Sequence, residues 1–190
     1  GTFLREILGF RFLPNTIHTF KAKVASLYKP TYDSLLRKII GGRLIHADET
    51  KINLLHGGAG YVWVFASMED VAYVYAPSRE GQLAQTLLKD FKGVLVTDFY
   101  AAYDSIDCPH QKCLLHLIRD LNDELMKEPF NDELKGLVRT FAELLKPMIE
   151  TVDRFGLRTR FLRKYKIEAE KFFNDLSHNV YRTESAEKCK

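Results

Sequence analysis

Three cysteines in 190 residues, Cys108, Cys113 and Cys189, are too few and too unevenly placed to staple a fold. That excludes a disulfide scaffold and points to a reducing compartment. No apolar run approaches the ~20 residues that a membrane helix requires, and the N-terminus lacks the pattern of a secretory signal. A membrane partner is therefore not expected, and the expected location is cytoplasmic. Internal repeats and low-complexity tracts are missing as well, which excludes a solenoid or a disordered array. The chain also lacks an initiating methionine: it begins Gly-Thr and stops in a charged run, so it reads as a piece of a longer protein. What remains is 46% apolar and 28% charged, the balance of a globular protein with one ordinary core and a smaller appendage.

The net charge of +3 conceals an asymmetry. Residues 1–45 carry eight Lys and Arg against two acids, whereas residues 46–118 carry five against nine. Further on, Arg154, Arg158, Arg160, Arg163, Lys164, Lys166 and Lys171 crowd one segment with only Glu168 and Glu170 opposing them. An acidic centre between basic flanks suits an enzyme that binds metal centrally and grips a polyanion at its edges. A basic helical face is equally often a solvated surface.

Periodicity divides the chain into three blocks. To about residue 42 it is helical, one helix running toward Tyr28, broken at Lys29-Pro30, and a second from Thr31 to about Ile40. The next block opens with Leu44 to Thr50, followed by strand-like runs at Tyr61 to Ala66 and Val71 to Ala76. The short Ser67–Asp70 link makes those two a hairpin. A helix is predicted from about Arg79 to Phe91, then strands at Gly93 to Asp98 and Gln111 to Leu115. The last block is all helix, with apolar stripes on residues 114–125 and 134–149, a kink expected at Pro147, and a third helix from Arg158 to Leu176. On that third helix Phe161, Leu162, Tyr165, Ala169, Phe172 and Phe173 are expected inward. The predicted domains are a helical segment at 1–42, a core at 43–127 and a helical insertion at 128–190.

Three strands, a helix and a further strand is the chain order of a ribonuclease H-like sheet. The predicted class is thus α/β, a mixed five-stranded sheet of that kind with flanking helices and helical additions at both ends. In such a sheet the first and fourth strands are neighbours, so Asp48 and Asp98, each read as ending its strand, would stand side by side. Repulsion between paired carboxylates is best relieved by hard divalent cations, which prefer oxygen ligands. Magnesium, or manganese in its place, is the expected cofactor, and metal-assisted phosphoryl transfer the expected chemistry. Asp48 taken alone reads better as the opening of a turn; its match with Asp98 is what favours the metal.

Around this pair, Tyr100 and Tyr103 can line a groove and stack on a base, or simply pack. His46 reads as a packed core histidine. Cys108, His110, Cys113 and His116 offer four N/S donors within nine residues, too compressed for the usual structural zinc sites. The preferred reading packs Cys113 in the sheet and turns His116 toward the carboxylates or a phosphate. Thr50, Tyr100, Cys113 and His116 are the expected supporting residues; Arg158, Arg160, Arg163, Lys164 and Lys166 are the expected contacts to the polyanion.

Three motifs in order, His46-Ala47-Asp48-Glu49-Thr50, Thr97-Asp98-Phe99-Tyr100-Ala101-Ala102-Tyr103 and Cys113-Leu114-Leu115-His116, resemble the DDE transposases of bacterial insertion sequences. The resemblance is closest to the subgroup with a helical insertion before the third acid, and it covers nearly the whole chain. It implies DNA strand cleavage and transfer at insertion-sequence ends, with transposon ends and target DNA as partners and a homo-oligomer on DNA as a further expectation. Two departures stand out. Phe99 occupies a position where glycine is common. The asparagine-rich Glu-Arg motif bearing the third carboxylate is missing, so this piece by itself is expected to be inactive. Other ribonuclease H-like nucleases, of resolvase or exonuclease type, and a non-catalytic nucleic-acid-binding relic of the fold remain open.

Overall fold

Helix α1, Pro14–Ile40, runs through Pro30 without a break in the computed structural model, which describes residues 5–7, 9, 14–55 and 57–188. The sequence predicts two helices here. Proline removes one helical hydrogen bond and crowds the preceding turn, but the Lys29 Nζ–Asp33 Oδ1 pair at 2.9 Å spans the step. Beyond it the helix is anchored by the Tyr32 hydroxyl, which donates to the Tyr73 carbonyl at 2.8 Å, and by packing of Leu35, Leu36 and Ile39.

The chain divides into two compact units, 1–113 and 114–190. In the first, strands β1 (Leu44–Asn53), β2 (Ala59–Ala66), β3 (Val71–Ala76), β4 (Val94–Thr97) and β5 (His110–Lys112) form one mixed sheet in the order β3-β2-β1-β4-β5. The β1–β2 and β2–β3 pairs are antiparallel; β1–β4 and β4–β5 are parallel. This is the ribonuclease H-like arrangement. The β2–β3 turn is closed by Ser67, whose backbone N–H donates to the Asp70 carbonyl at 2.8 Å and whose hydroxyl accepts from the Asp70 N–H at 3.0 Å. Ile45, Ala47, Trp63, Phe65, Ala72 and Leu95 share one face of the sheet and meet Ile39 of α1 and Ala84 of the short helix α2, Gln82–Leu87. Gly93 has a steric role at this level: a Cβ there would lie 2.5 Å from the Arg43 carbonyl oxygen, so only glycine lets β4 start beside β1.

Several boundaries differ from expectation. Helix α2 is shorter than the predicted 79–91, since Leu88 and Phe91 are buried in turns after it. Strand β5 ends at Lys112, so Cys113 lies just past the sheet, half-buried, its N–H donating to the Thr97 carbonyl at 2.7 Å. Strand β1 continues beyond Asp48 to Asn53, because its antiparallel ladder with β2 persists after its ladder with β4 has stopped. His46 is exposed, on the face opposite Ile45 and Ala47, and is not a core residue.

In the second unit, α3 (Leu114–Lys127) and α4 (Asp132–Phe155) pack through Leu121, Leu137 and Phe141. Helix α3 lies within the expected 43–127 boundary but belongs by its apolar stripe to the all-helix block, and its buried Leu121 packs with α4. Asn131 caps α4, its side chain accepting from the Leu134 N–H at 3.0 Å. The helix passes through Pro147, whose carbonyl accepts from the Thr151 hydroxyl at 2.8 Å and the Tyr165 hydroxyl at 2.9 Å. The predicted third helix is three pieces: α5 (Thr159–Leu162), a 3-10 turn (Arg163–Tyr165) and α6 (Lys166–His178). That turn swings Tyr165 onto α4, and Phe173 is left exposed instead of facing inward. The final helix α7, Glu184–Lys188, is held through Glu133.

Glu133 accepts from the Arg182 and Thr183 N–H groups at 2.9 Å each and from the Thr183 hydroxyl at 2.8 Å. These backbone donors hold its pKa below the usual glutamate range. A lowered folded-state value stabilises above the unfolded pKa, about 4.3, and the contribution fades as pH falls through the folded value. Acidification should therefore reduce the protection of the Arg182 and Thr183 amides, relative to their intrinsic exchange rates at the same pH, before the rest of the unit opens. Glu133→Gln should show the reduced protection already at pH 7. Equal exchange in variant and wild type at pH 7 would show that the clasp is not what orders this segment.

Candidate active site

The β1–β4 ladder pairs Leu44 with Val94, Ile45 with Leu95 and His46 with Val96. Continued at the same offset, Asp98 is the counterpart of Asp48, just past the last paired residue of the ladder. Adjacent strands lie about 4.8 Å apart. Asp48 shares with His46 and Thr50 the sheet face opposite the core, and Thr50 stands across from Val62. Asp48 is exposed and Asp98 half-buried. One oxygen of each is fixed by backbone: Asp48 Oδ1 accepts from the Glu49 N–H at 2.9 Å, and Asp98 Oδ1 from the Tyr100 N–H at 3.0 Å. Neither Oδ2 has a hydrogen-bond donor among the described residues. Two carboxylates with outward oxygens uncommitted are the donor set a hard divalent cation takes. Among the described residues no three His, Cys, Asp or Glu side chains gather as a metal cluster.

Behind the pair lies a polar unit that sequence reasoning missed. Glu49 points into the core with 1% of its side chain exposed. Its Oε1 accepts from Arg79 Nε at 2.9 Å and Nη2 at 2.7 Å, and its Oε2 from the Tyr103 hydroxyl at 2.7 Å. Tyr103 is fully buried against Trp63, ring centroids 5.8 Å apart, and is not available to stack on a base. Its hydroxyl pKa is pushed far up, by burial first, then by Glu49 and the charges of Asp98 and Asp48, so it stays a donor. Tyr100 is also held: its hydroxyl donates to the Arg79 carbonyl at 3.0 Å and its ring lies 4.2 Å from the guanidinium. The one available signal was Glu49 occupying the apolar parity of Ile45 and Ala47, a place where a carboxylate demands a partner.

A family model described as "Transposase IS66 family" matches residues 2–188. The chain belongs to this transposase family. It is also 27% identical over 153 residues to "Uncharacterized protein y4jD" of Sinorhizobium fredii (strain NBRC 101917 / NGR234), covering 68% of this chain and 30% of that protein. The chain thus spans about 30% of that relative's length. No solved structure matches it significantly.

In this IS66-family chain no three Cys or His side chains gather as a metal cluster among the described residues. His110 Nε2 lies 2.8 Å from the Ile106 carbonyl. Burial, aided by Asp107, pushes the Cys108 thiol up. His116 sits in the first turn of α3, half-buried, with Nδ1 lacking a hydrogen-bond partner. No helix among the described residues is long and apolar enough to cross a membrane.

The basic segment forms the turn between α4 and α6. Gly156, at φ 73°, ends α4, and Phe155 stacks on Phe161 with centroids 4.3 Å apart. Arg154 lies over Phe155 at 5.1 Å, Arg160 over Phe161 at 4.4 Å and Lys164 over Tyr165 at 4.7 Å. Arg158, Arg160, Arg163, Lys164 and Lys166 are all exposed. Lys166 pairs with Glu170 at 3.6 Å.

Proposed function

We propose that this chain is the central part of a DDE-type transposase that cuts and joins DNA at insertion-sequence ends, with Asp48 and Asp98 as its first two acids. The observation that supports this reading is the β1–β4 register: continued two residues past its last pair, His46 and Val96, it sets Asp98 opposite Asp48, each with one oxygen accepting from a backbone N–H. Magnesium, or manganese, held there would make a bound water more acidic and stabilise charge on a leaving oxygen. The chain's own task is positional. The Tyr100 N–H sets the Asp98 rotamer, the Glu49 N–H sets that of Asp48, and the exposed setting of Asp48 leaves room for a phosphodiester. We place the third carboxylate outside these 190 residues, which makes the isolated chain a weak metal binder with little activity.

Magnesium at tenfold excess over its Kd should stabilise the chain by about 1.4 kcal/mol, a rise in Tm of a few degrees. Asp48→Asn should abolish that rise. An equal rise in the variant would place the ion elsewhere.

DNA is held, on this reading, by the basic turn, where arginines laid on aromatic rings present a preformed cationic surface. Each phosphate contact contributes about −0.9 to the log–log slope of affinity against salt. Replacing Arg160, Arg163 and Lys164 by alanine should weaken binding alike for all sequences and flatten that slope by about 2.7. Unchanged affinity and slope would make the run a solvated face.

A further inference from the structure

A carboxylate in an apolar core is costly unless every oxygen is paired, and Glu49 stands there one residue from Asp48. An apolar side chain would continue the alternation of Ile45 and Ala47 at no such cost. The partners of Glu49 come from two other segments, the loop before α2 and the turn after β4, and both lead to Asp98. Tyr103 ends the 3-10 turn, Ala101–Tyr103, that follows Asp98, and its hydroxyl rests on Glu49 Oε2. Tyr100, whose N–H holds Asp98, is fixed at its far end by Arg79, and Arg79 is forked onto Glu49 Oε1. The backbone N–H of Glu49 itself holds Asp48.

We infer that Glu49 is a positioning residue which, through Tyr103 and Arg79, fixes the turn carrying Asp98 against β1 and so sets the separation of Asp48 and Asp98. The inference rests on the metal-site reading above. Apolar packing could supply stability at this place, but charge-assisted hydrogen bonds also fix distance and angle. Two acids that must share an ion need that definition.

Tyr103→Phe in the 190-residue chain removes one hydroxyl and leaves the ring against Trp63 and Tyr100. Amide exchange at Tyr100 and Tyr103 should quicken while β2 and β3 stay protected. Manganese titration, read by paramagnetic broadening of the Asp48 and Asp98 signals, should show affinity weakened by about tenfold, as for other residues that orient metal ligands. If Tyr103→Phe does not fold, Glu49→Gln, which keeps an acceptor for Tyr103, takes its place with the same readouts. Unchanged exchange overturns the proposal. Faster exchange with unchanged manganese affinity also overturns it, leaving a purely structural unit. If the wild-type chain shows no broadening at either aspartate, the metal reading fails first and takes the positioning role with it.

Discussion

Arg79→Ala should lower the stability of the sheet unit by about 2–4 kcal/mol and its Tm by roughly 5–15 °C. The substitution strands Glu49, whose side chain is 1% exposed, without its cation. Removing one partner of a fully buried pair costs about 3–5 kcal/mol. The figure here is smaller because the Arg79 side chain is 48% exposed and water screens part of the interaction. The triple replacement Glu49→Leu, Arg79→Met, Tyr103→Phe removes every polar member together, and stability should largely return, since apolar substitutes for buried ion pairs are often neutral or better. Thermal unfolding of the two proteins checks both statements. A loss under 1 kcal/mol for Arg79→Ala would mean that Glu49 is reached by solvent.

Asp48→Asn or Asp98→Asn, made in a transposase that contains this chain, should reduce strand cleavage at insertion-sequence ends by about a hundredfold to a thousandfold, the scale on which single electrostatic contacts to a transition state act. The amide keeps the size of the side chain but loses the charge that binds a divalent cation. Asp48 is exposed, so its replacement should leave stability within about 0.5 kcal/mol. Loss of activity with an intact fold separates chemistry from folding. The same assay distinguishes a transposase from a plain nuclease of this fold, because a transposase joins the cut end to target DNA. Full cleavage by either variant would remove that aspartate from the mechanism.

Much of the sheet was legible because its signals are local. Alternation in Leu44 to Thr50 and the tight Ser67–Asp70 link marked the strands, and their order came from the likeness of three strands, a helix and a strand to a ribonuclease H-like sheet. The errors have tertiary causes. Pro30 was read as a break, yet α1 runs through it, with the Lys29–Asp33 pair across the step. β1 was ended at Asp48 because nothing local reports that β2 remains paired after β4 stops. His46 was placed in the core for its neighbours, although its parity is that of exposed Asp48. Glu49 was missed as the centre of a buried polar unit. Its partners lie 30 and 54 residues further along the chain, a separation no sequence window spans.

The most direct measurement is the anomalous diffraction of crystals of this chain soaked in manganese. A shared site predicts a peak within about 2.0–2.6 Å of a carboxylate oxygen from both Asp48 and Asp98. Carboxyl groups on opposite faces of the sheet, or more than about 6 Å apart with manganese bound elsewhere, would contradict it.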